Sequence, residues 1–457
     1  MSAWLNTMRR RRLAVLGAAV GLLLGAWVLL SLLIPHRDLF VEAIRKQGYP
    51  ASLAELDAYY PSVPAEENAA LVYTNAFRLL TNLTGPNTPF LTWLPPIGQG
   101  LSAEEESELK DVLSDNQAAL NLLYSVPASG RSRYPTRLGD GFDALLPHLA
   151  QTKPAVALLS AEGLMHATDG DAEKATRAFL AAGRVAESLS EEPIIISQFV
   201  RFADWAILLP RLERALSLTT FSNGQLASLQ KMVEAAERPR AMVRALAVDR
   251  AACLGVYTDR KVMGLAMQQA HGWRGQVRDV LTAVTAGVLR AAGMLQKDKA
   301  FYCDTMGKHI AALELPYPAR VAAGRQLAAS TNAANRFYIF SQMLLPGLVK
   351  MHVKDANHAA NVRVAAAALA IERFRLAHTN ALPEAVEQLA PTCCETIPTD
   401  PFDGKPLRYH THGASYVVYS VGSDGQDDGG VVWDSKFTKV PQDLYWIWRS
   451  AACSTAR

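Results

Sequence analysis

The sequence has no bias of charge. Lys and Arg number 46 against 43 Asp and Glu, for a net charge of +3. Arg9, Arg10, Arg11 and Arg12 supply four of those positive charges, leaving −1 for residues 13–457. A chain so balanced lacks the basic face that nucleic-acid binding needs. Gly and Pro, 29 and 24 residues, stand at average usage, which excludes a collagen-like chain and argues against a wholly disordered one. Cysteine is scarce: five residues, an odd number, with no C-x-x-C pair, which argues against structural zinc. No H-E-x-x-H, no G-x-S-x-G, no G-x-x-x-x-G-K-[ST] and no G-x-G-x-x-G after a strand occurs. No residue therefore stands out as catalytic, although a triad can be assembled from distant positions. The chain does have 457 residues, half of them apolar. At roughly 150 residues per domain that is material for two to four structural units.

Long apolar runs are absent with one exception. Leu13 to Ile34, LAVLGAAVGLLLGAWVLLSLLI, is 22 residues without a charge. As a helix it spans about 33 Å, enough for a hydrocarbon core of about 30 Å. The four arginines precede it and Pro35 follows it. Such a cationic flank stays cytoplasmic, which sends the rest of the chain across the membrane. A cleaved signal peptide would have a shorter apolar region ending in an A-x-A-like site, and Ser31-Leu32-Leu33-Ile34-Pro35 offers none. Val280 to Leu295 is too short for a second span and is interrupted by Arg290.

Beyond Pro35 the pattern is helical. Ser52 with Glu55, and Ser102 with Glu105, have the spacing of capping boxes. Helices are expected from Glu66 to Leu80, with Val72, Ala76 and Leu80 on one side, and from Ser102 to about Tyr124. The stretches 81–100 and 127–141 read as loops. From Phe142 to about Leu376 helix follows helix, with breaks at Pro154, Gly170, Pro193, Pro210, Asn223-Gly224, Pro239, Pro316 and Pro346. Within residues 157–192, Gly163, Ala175, Phe179 and Ala182 resemble the small/small/large/small signature of one tetratricopeptide repeat. The same residues equally fit an ordinary hairpin with a small-residue crossing.

Composition changes near Asn380. An Ala-rich helix, VRVAAAALAIERFRLAH, places Ala365, Ala368, Leu369 and Leu376 on one face. A short helix to Leu389, a turn at Phe402-Asp403-Gly404-Lys405 and strands at Leu407–His410 and Tyr416–Val421 come after it. The order LAIERFRLAHTNALPEAVEQL, PTDPFDGKPLRYH, YVVYSVGSDGQDDGG resembles the globular part of the major pseudopilins of type II secretion, over about residues 360–432. The resemblance implies a helix, an Asp-Pro-aromatic-x-Gly turn, two or three strands and an Asp-rich calcium loop. Met1 to Val20 lacks the prepilin peptidase site of that family, and about 320 residues separate the apolar run from the module. Assembly into a fibre therefore does not carry over.

In the Asp-rich loop Asp424, Asp427 and Asp428 are the candidate ligands of a structural calcium ion, which wants six to eight oxygens. Gly425, Gly429 and Gly430 permit the backbone to wrap. The competing reading is a solvated turn. An extracytoplasmic compartment permits disulfides among Cys253, Cys303, Cys393, Cys394 and Cys453; Cys393 or Cys394 could reach Cys453. His410 and His412 share a strand face but have no evident third ligand. Tyr445, Trp446 and Trp448 read as a final strand packed on the module in preference to an exposed docking cluster.

The fold class expected is mainly α, with an N-terminal transmembrane helix, a helical-hairpin array and a small C-terminal α+β module with a short antiparallel sheet. The segments are 1–12 (basic cytoplasmic tip), 13–34 (anchor), 36–141 (helices with loops), 142–355 (hairpin array) and 356–457 (pseudopilin-like module). The function expected is a scaffold or adaptor on the periplasmic side of a bacterial inner membrane. It would be held by the bilayer through residues 13–34 and would bind a protein partner and no nucleic acid, in type II secretion or envelope assembly. An envelope hydrolase with a site between helices, and an atypical pseudopilin, are the alternatives.

Overall fold

The computed structural model describes residues 39–81, 83, 94–127, 130–258, 293–332, 338–348, 350–430 and 444–448. The expected anchor 13–34, and Cys453, lie outside the described residues. No helix among the described residues is long and apolar enough to cross a membrane. The described chain is mainly helical, with a small antiparallel sheet near its C-terminus.

The first helices are α1 (Leu39–Lys46), α2 (Leu53–Tyr59), α3 (Ala69–Leu79), α4 (Ala103–Asp115) and α5 (Gln117–Ser125). The capping box at α4 forms as expected: the Glu105 amide donates to Ser102 Oγ (3.3 Å) and the Ser102 amide to Glu105 Oε2 (2.7 Å). At α2 it does not. Glu55 instead accepts from the Ala51 amide (2.9 Å) and the Ser52 hydroxyl (2.8 Å), and pairs with Arg45. The helix expected to run on to Tyr124 breaks at Asn116. This buried amide gives its hydrogen bonds to Thr81, accepting from its N–H (2.9 Å) and donating to its carbonyl (3.0 Å). Near α3 a single 3₁₀ turn, Ala65–Glu67, takes the place of the expected first helical turn, and Asn68 caps α3. The buried face of α3 is Tyr73, Ala76 and Phe77, with Val72 and Leu80 only partly covered.

The array comprises α6 (Leu149–Thr168), α7 (Ala172–Glu187), α8 (Ile195–Leu218), α9 (Asn223–Glu234), α10 (Ala241–Thr258), α11 (Met294–Glu314), α12 (Ala319–Asn332) and α13 (Ile339–Leu344). It starts at Leu149, not Phe142, because 138–143 is a 3₁₀ turn. Pro154 and Pro210 lie inside α6 and α8 and do not break them. An interior proline costs about 3 kcal/mol. Leu158 and Leu159 beyond the first, and Leu208, Leu209 and Leu212 around the second, are buried, each worth about 1.5–3 kcal/mol. Gly170 (φ +80°) turns the chain and Asp171 caps α7. Gly163 lets α6 approach α7 closely; a Cβ there would lie 3.0 Å from the Phe179 ring.

The long α14 (Met351–Ala377) is buried on every side from Val364 to Ile371, not on one face, because α8, α9, α12 and the sheet all pack on it. Leu376 is exposed. The sheet has the order β1 (Arg408–His412), β2 (Ser415–Ser420), β3 (Leu444–Trp448), all antiparallel. Gly413 (φ +61°) makes the tight β1–β2 turn. Trp446 of β3 is buried opposite Val418 in this final strand, as expected. Asp400 staples the preceding turn to β2. Its carboxylate is fully buried and accepts from Ser420 Oγ (2.9 Å), the Val421 and Phe402 amides (2.8 and 2.9 Å) and Arg408 (3.2 Å). The larger core runs from α3 through α6–α9 into α14 and β2; a second joins α1, α10, α11 and α13.

Candidate functional site

An apolar groove of about 410 Å³ opens where five separate stretches meet: Leu56 of α2, 138–146, the start of α8, the middle of α10 and 344–348. Its walls include Leu138, Ile195, Phe199, Val248 and Leu348. The stretch 138–146 is thrust outward by its own chemistry. Gly141 has φ +61°, and a Cβ there would stand 3.0 Å from Leu53, so only glycine suits the kink. Below the kink the segment is clamped. The Leu138 amide donates to Asp57 Oδ1 (2.7 Å). The Thr136 hydroxyl donates to Glu192 Oε1 (3.0 Å), and His148 Nε2 lies 2.9 Å from Glu192 Oε2. One fully buried carboxylate thus holds both ends of the segment. The Tyr134 ring stacks on His148 at 3.9 Å and its hydroxyl bonds Ser188 Oγ (2.8 Å).

The held segment presents its apex to water. Phe142 is 61 % exposed and Leu145 82 %, and Ile196 at the start of α8 is 51 % exposed. Phe142 and Ile196 line the groove, and Leu145 stands between the lining residues Ala144 and Leu146. Among the described residues, the one carboxylate in the lining is Asp249 of α10, whose pKa burial raises to about 6.

A larger cleft, about 830 Å³, lies between α9, α14 and residues 391–399, and shares Glu237, Arg363 and Thr399 with a neighbouring cavity of about 430 Å³. Arg363, Glu237 and Arg373 of this cleft, and Arg320 and Asp355 of the neighbouring cavity, are held by hydrogen bonds. Arg363 grips Glu237 with two hydrogen bonds (2.9 and 2.6 Å). Arg373 donates to Gln230 Oε1 (2.8 Å) and the Cys393 carbonyl (2.9 Å), and Arg320 pairs with Asp355 (3.0 Å). These contacts seam the C-terminal module to the array. Cys393 and Cys394 line this cleft and form no disulfide among the described residues.

Asp424, Asp427 and Asp428 lie in the loop that follows β2. Asp424 accepts from the Gln426 amide (3.1 Å), and Asp427 from the Tyr419 hydroxyl (2.8 Å) and the Gly429 amide (3.0 Å). Arg408 Nε lies 3.8 Å from Asp427 Oδ2, placing a cation beside that carboxylate. Among the described residues no group of three His, Cys, Asp or Glu side chains is arranged to hold a metal ion. His410 bonds the Tyr419 hydroxyl (3.0 Å).

No protein-family model matches this chain, and neither a curated protein nor a solved structure matches it.

Asp249, Phe142, Leu145 and Ile196 belong to no motif in the sequence. Two signals were present. One is an aspartate in the apolar helix AMVRALAVDRAACLGVYT; the other is Phe142 and Leu145 in a Gly- and Pro-flanked loop, off any helical spacing.

Proposed function

We propose that the chain is a membrane-anchored scaffold or adaptor, held by residues 13–34 in a bacterial inner membrane with its bulk in the periplasm. Its groove receives an apolar segment of a protein partner in secretion or envelope assembly. The exposure of Phe142 and Ile196 in the lining of one groove carries the reading, with exposed Leu145 in the same segment. The anchor supports it: α1 begins at Leu39, five residues after Ile34, a gap of at most about 18 Å, so the helical body would stand close to the bilayer. A structural calcium ion on Asp424, Asp427 and Asp428 rests on the pseudopilin resemblance; calcium calorimetry on wild type and Asp424→Ala tests it, and absence of heat in the wild type ends it.

The adaptor reading is tested in native membranes. A photo-crosslinking residue at 142 or 145 should give a discrete protein adduct that Ile196→Asp abolishes and that a probe at Glu104 does not give. A C-terminal reporter should be active only on the periplasmic side. Identical adducts from all positions, none from any, or a cytoplasmic reporter signal would overturn the reading.

A further inference from the structure

We infer that the segment received by the groove carries one basic side chain, lysine or arginine, among apolar ones, and that its cation pairs with Asp249. This rests on the adaptor reading and names the chemistry of the partner. The lining offers Leu138, Ile195, Phe199, Val248 and Leu348 as apolar wall and a single carboxylate. Nothing among the described residues answers that carboxylate. No cation of theirs lines the groove, and the adjacent Arg250 projects from a different face of α10, over the Tyr49 ring at 5.4 Å and in a different cavity.

Charge decides what fits. A wholly apolar occupant would strip the remaining water from Asp249 and give nothing back. An acidic one would add like-charge repulsion. A cation brought in on an apolar segment restores the missing partner in a poorly solvated place, where the attraction is strongest. A protein segment fits better than a small amine because the apolar lining runs from Leu138 through Phe199 to Leu348 and ends in the exposed Phe142 and Ile196.

The test uses the full chain in nanodiscs and three amphipathic peptides of about 16 residues, identical but for lysine, norleucine or glutamate at one central apolar-face position. The lysine peptide should bind about tenfold tighter than the norleucine peptide, a difference of about 1.4 kcal/mol, and the glutamate peptide weakest. Asp249→Asn, nearly isosteric, should erase the lysine preference while norleucine binding persists, and Asp249→Glu should restore it. Equal binding of lysine and norleucine peptides to the wild type overturns the inference, as does a lysine preference that survives Asp249→Asn. If those peptides bind and Leu145→Asp abolishes the binding, the groove reading outlives that failure. No binding by any peptide sinks both.

Discussion

Asp249 and Arg250 are neighbours on α10 and do not pair. Successive helical side chains project about 100° apart. One therefore enters the groove and the other the core behind Tyr49, where Nε and Nη2 of Arg250 are buried without a hydrogen-bond partner among the described residues. Both charges are held in the fold at a cost, and burial pushes both pKa values toward the neutral form.

For Asp249 the sign follows directly. Its folded pKa, about 6, lies above the ordinary value of about 3.9. Stability is full below about pH 4 and falls as pH rises to about 6. Asp249→Asn should therefore stabilise the empty protein at pH 7.5 by on the order of 1–2 kcal/mol and do nothing at pH 4. Urea midpoints at the two pH values read this, and equal effects at both would refute it.

The groove's outer wall depends on Glu192. Glu192→Ala leaves Thr136 and His148 without their buried partner, at about 1–3 kcal/mol each. The expected loss is about 2–5 kcal/mol in all, with the segment carrying Phe142 released. Limited proteolysis should cut near Phe142 and Leu145 in the variant well before global unfolding. A variant that melts early yet resists cleavage there would show that the clamp does not position the segment.

A second pH response comes from His309 and His352, whose Nδ1 and Nε2 atoms are 2.9 Å apart in the core of α11 and α14. Burial lowers both pKa values to about 4. Both imidazoles are neutral in the folded state while the unfolded chain takes up protons below about pH 6.5. Stability is complete above that value and is lost as pH falls toward 4. His309→Gln should flatten this acid limb. Chemical denaturation at pH 7 and pH 5 tests it: the wild type should lose at least about 1 kcal/mol more than the variant, and parallel losses would count against it.

Much of this architecture was readable because its signals are local. The Ser102–Glu105 box, the Gly163–Phe179 crossing and the Asp400 turn each lie within one or two elements, and each forms. Pro154 and Pro210 misled because burial around them outweighs the local rule. Asn116 misled because its partner, Thr81, is 35 residues away. The groove was illegible for the same reason on a larger scale. Leu138, Ile195, Asp249 and Leu348 meet only through tertiary packing, and no spacing joins them.

Asp204 is a fully buried carboxyl away from the groove and the larger cleft. It lies on α8, and neither oxygen has a hydrogen-bond partner among the described residues. The hydroxyl of nearby Thr152 is spent on the Leu149 carbonyl (3.4 Å). Burial raises its pKa to about 8, against weaker downward pulls from Thr152, Lys153 and Arg201. The folded protein therefore keeps this proton at pH 7, whereas the unfolded chain has released it by about pH 4. Stability declines as pH climbs from about 4 to 8 and is flat beyond. Asp204→Asn, neutral throughout, should gain little at pH 4 and on the order of 2 kcal/mol or more at pH 8.5. Asp204→Leu should do as well or better if the site is purely structural, because burial outweighs the pull of Thr152 on the carboxylate. A leucine variant that folds and melts higher but no longer binds the groove peptides would instead assign the buried carboxyl a part in function, and thermal melts run beside the binding assay separate the two.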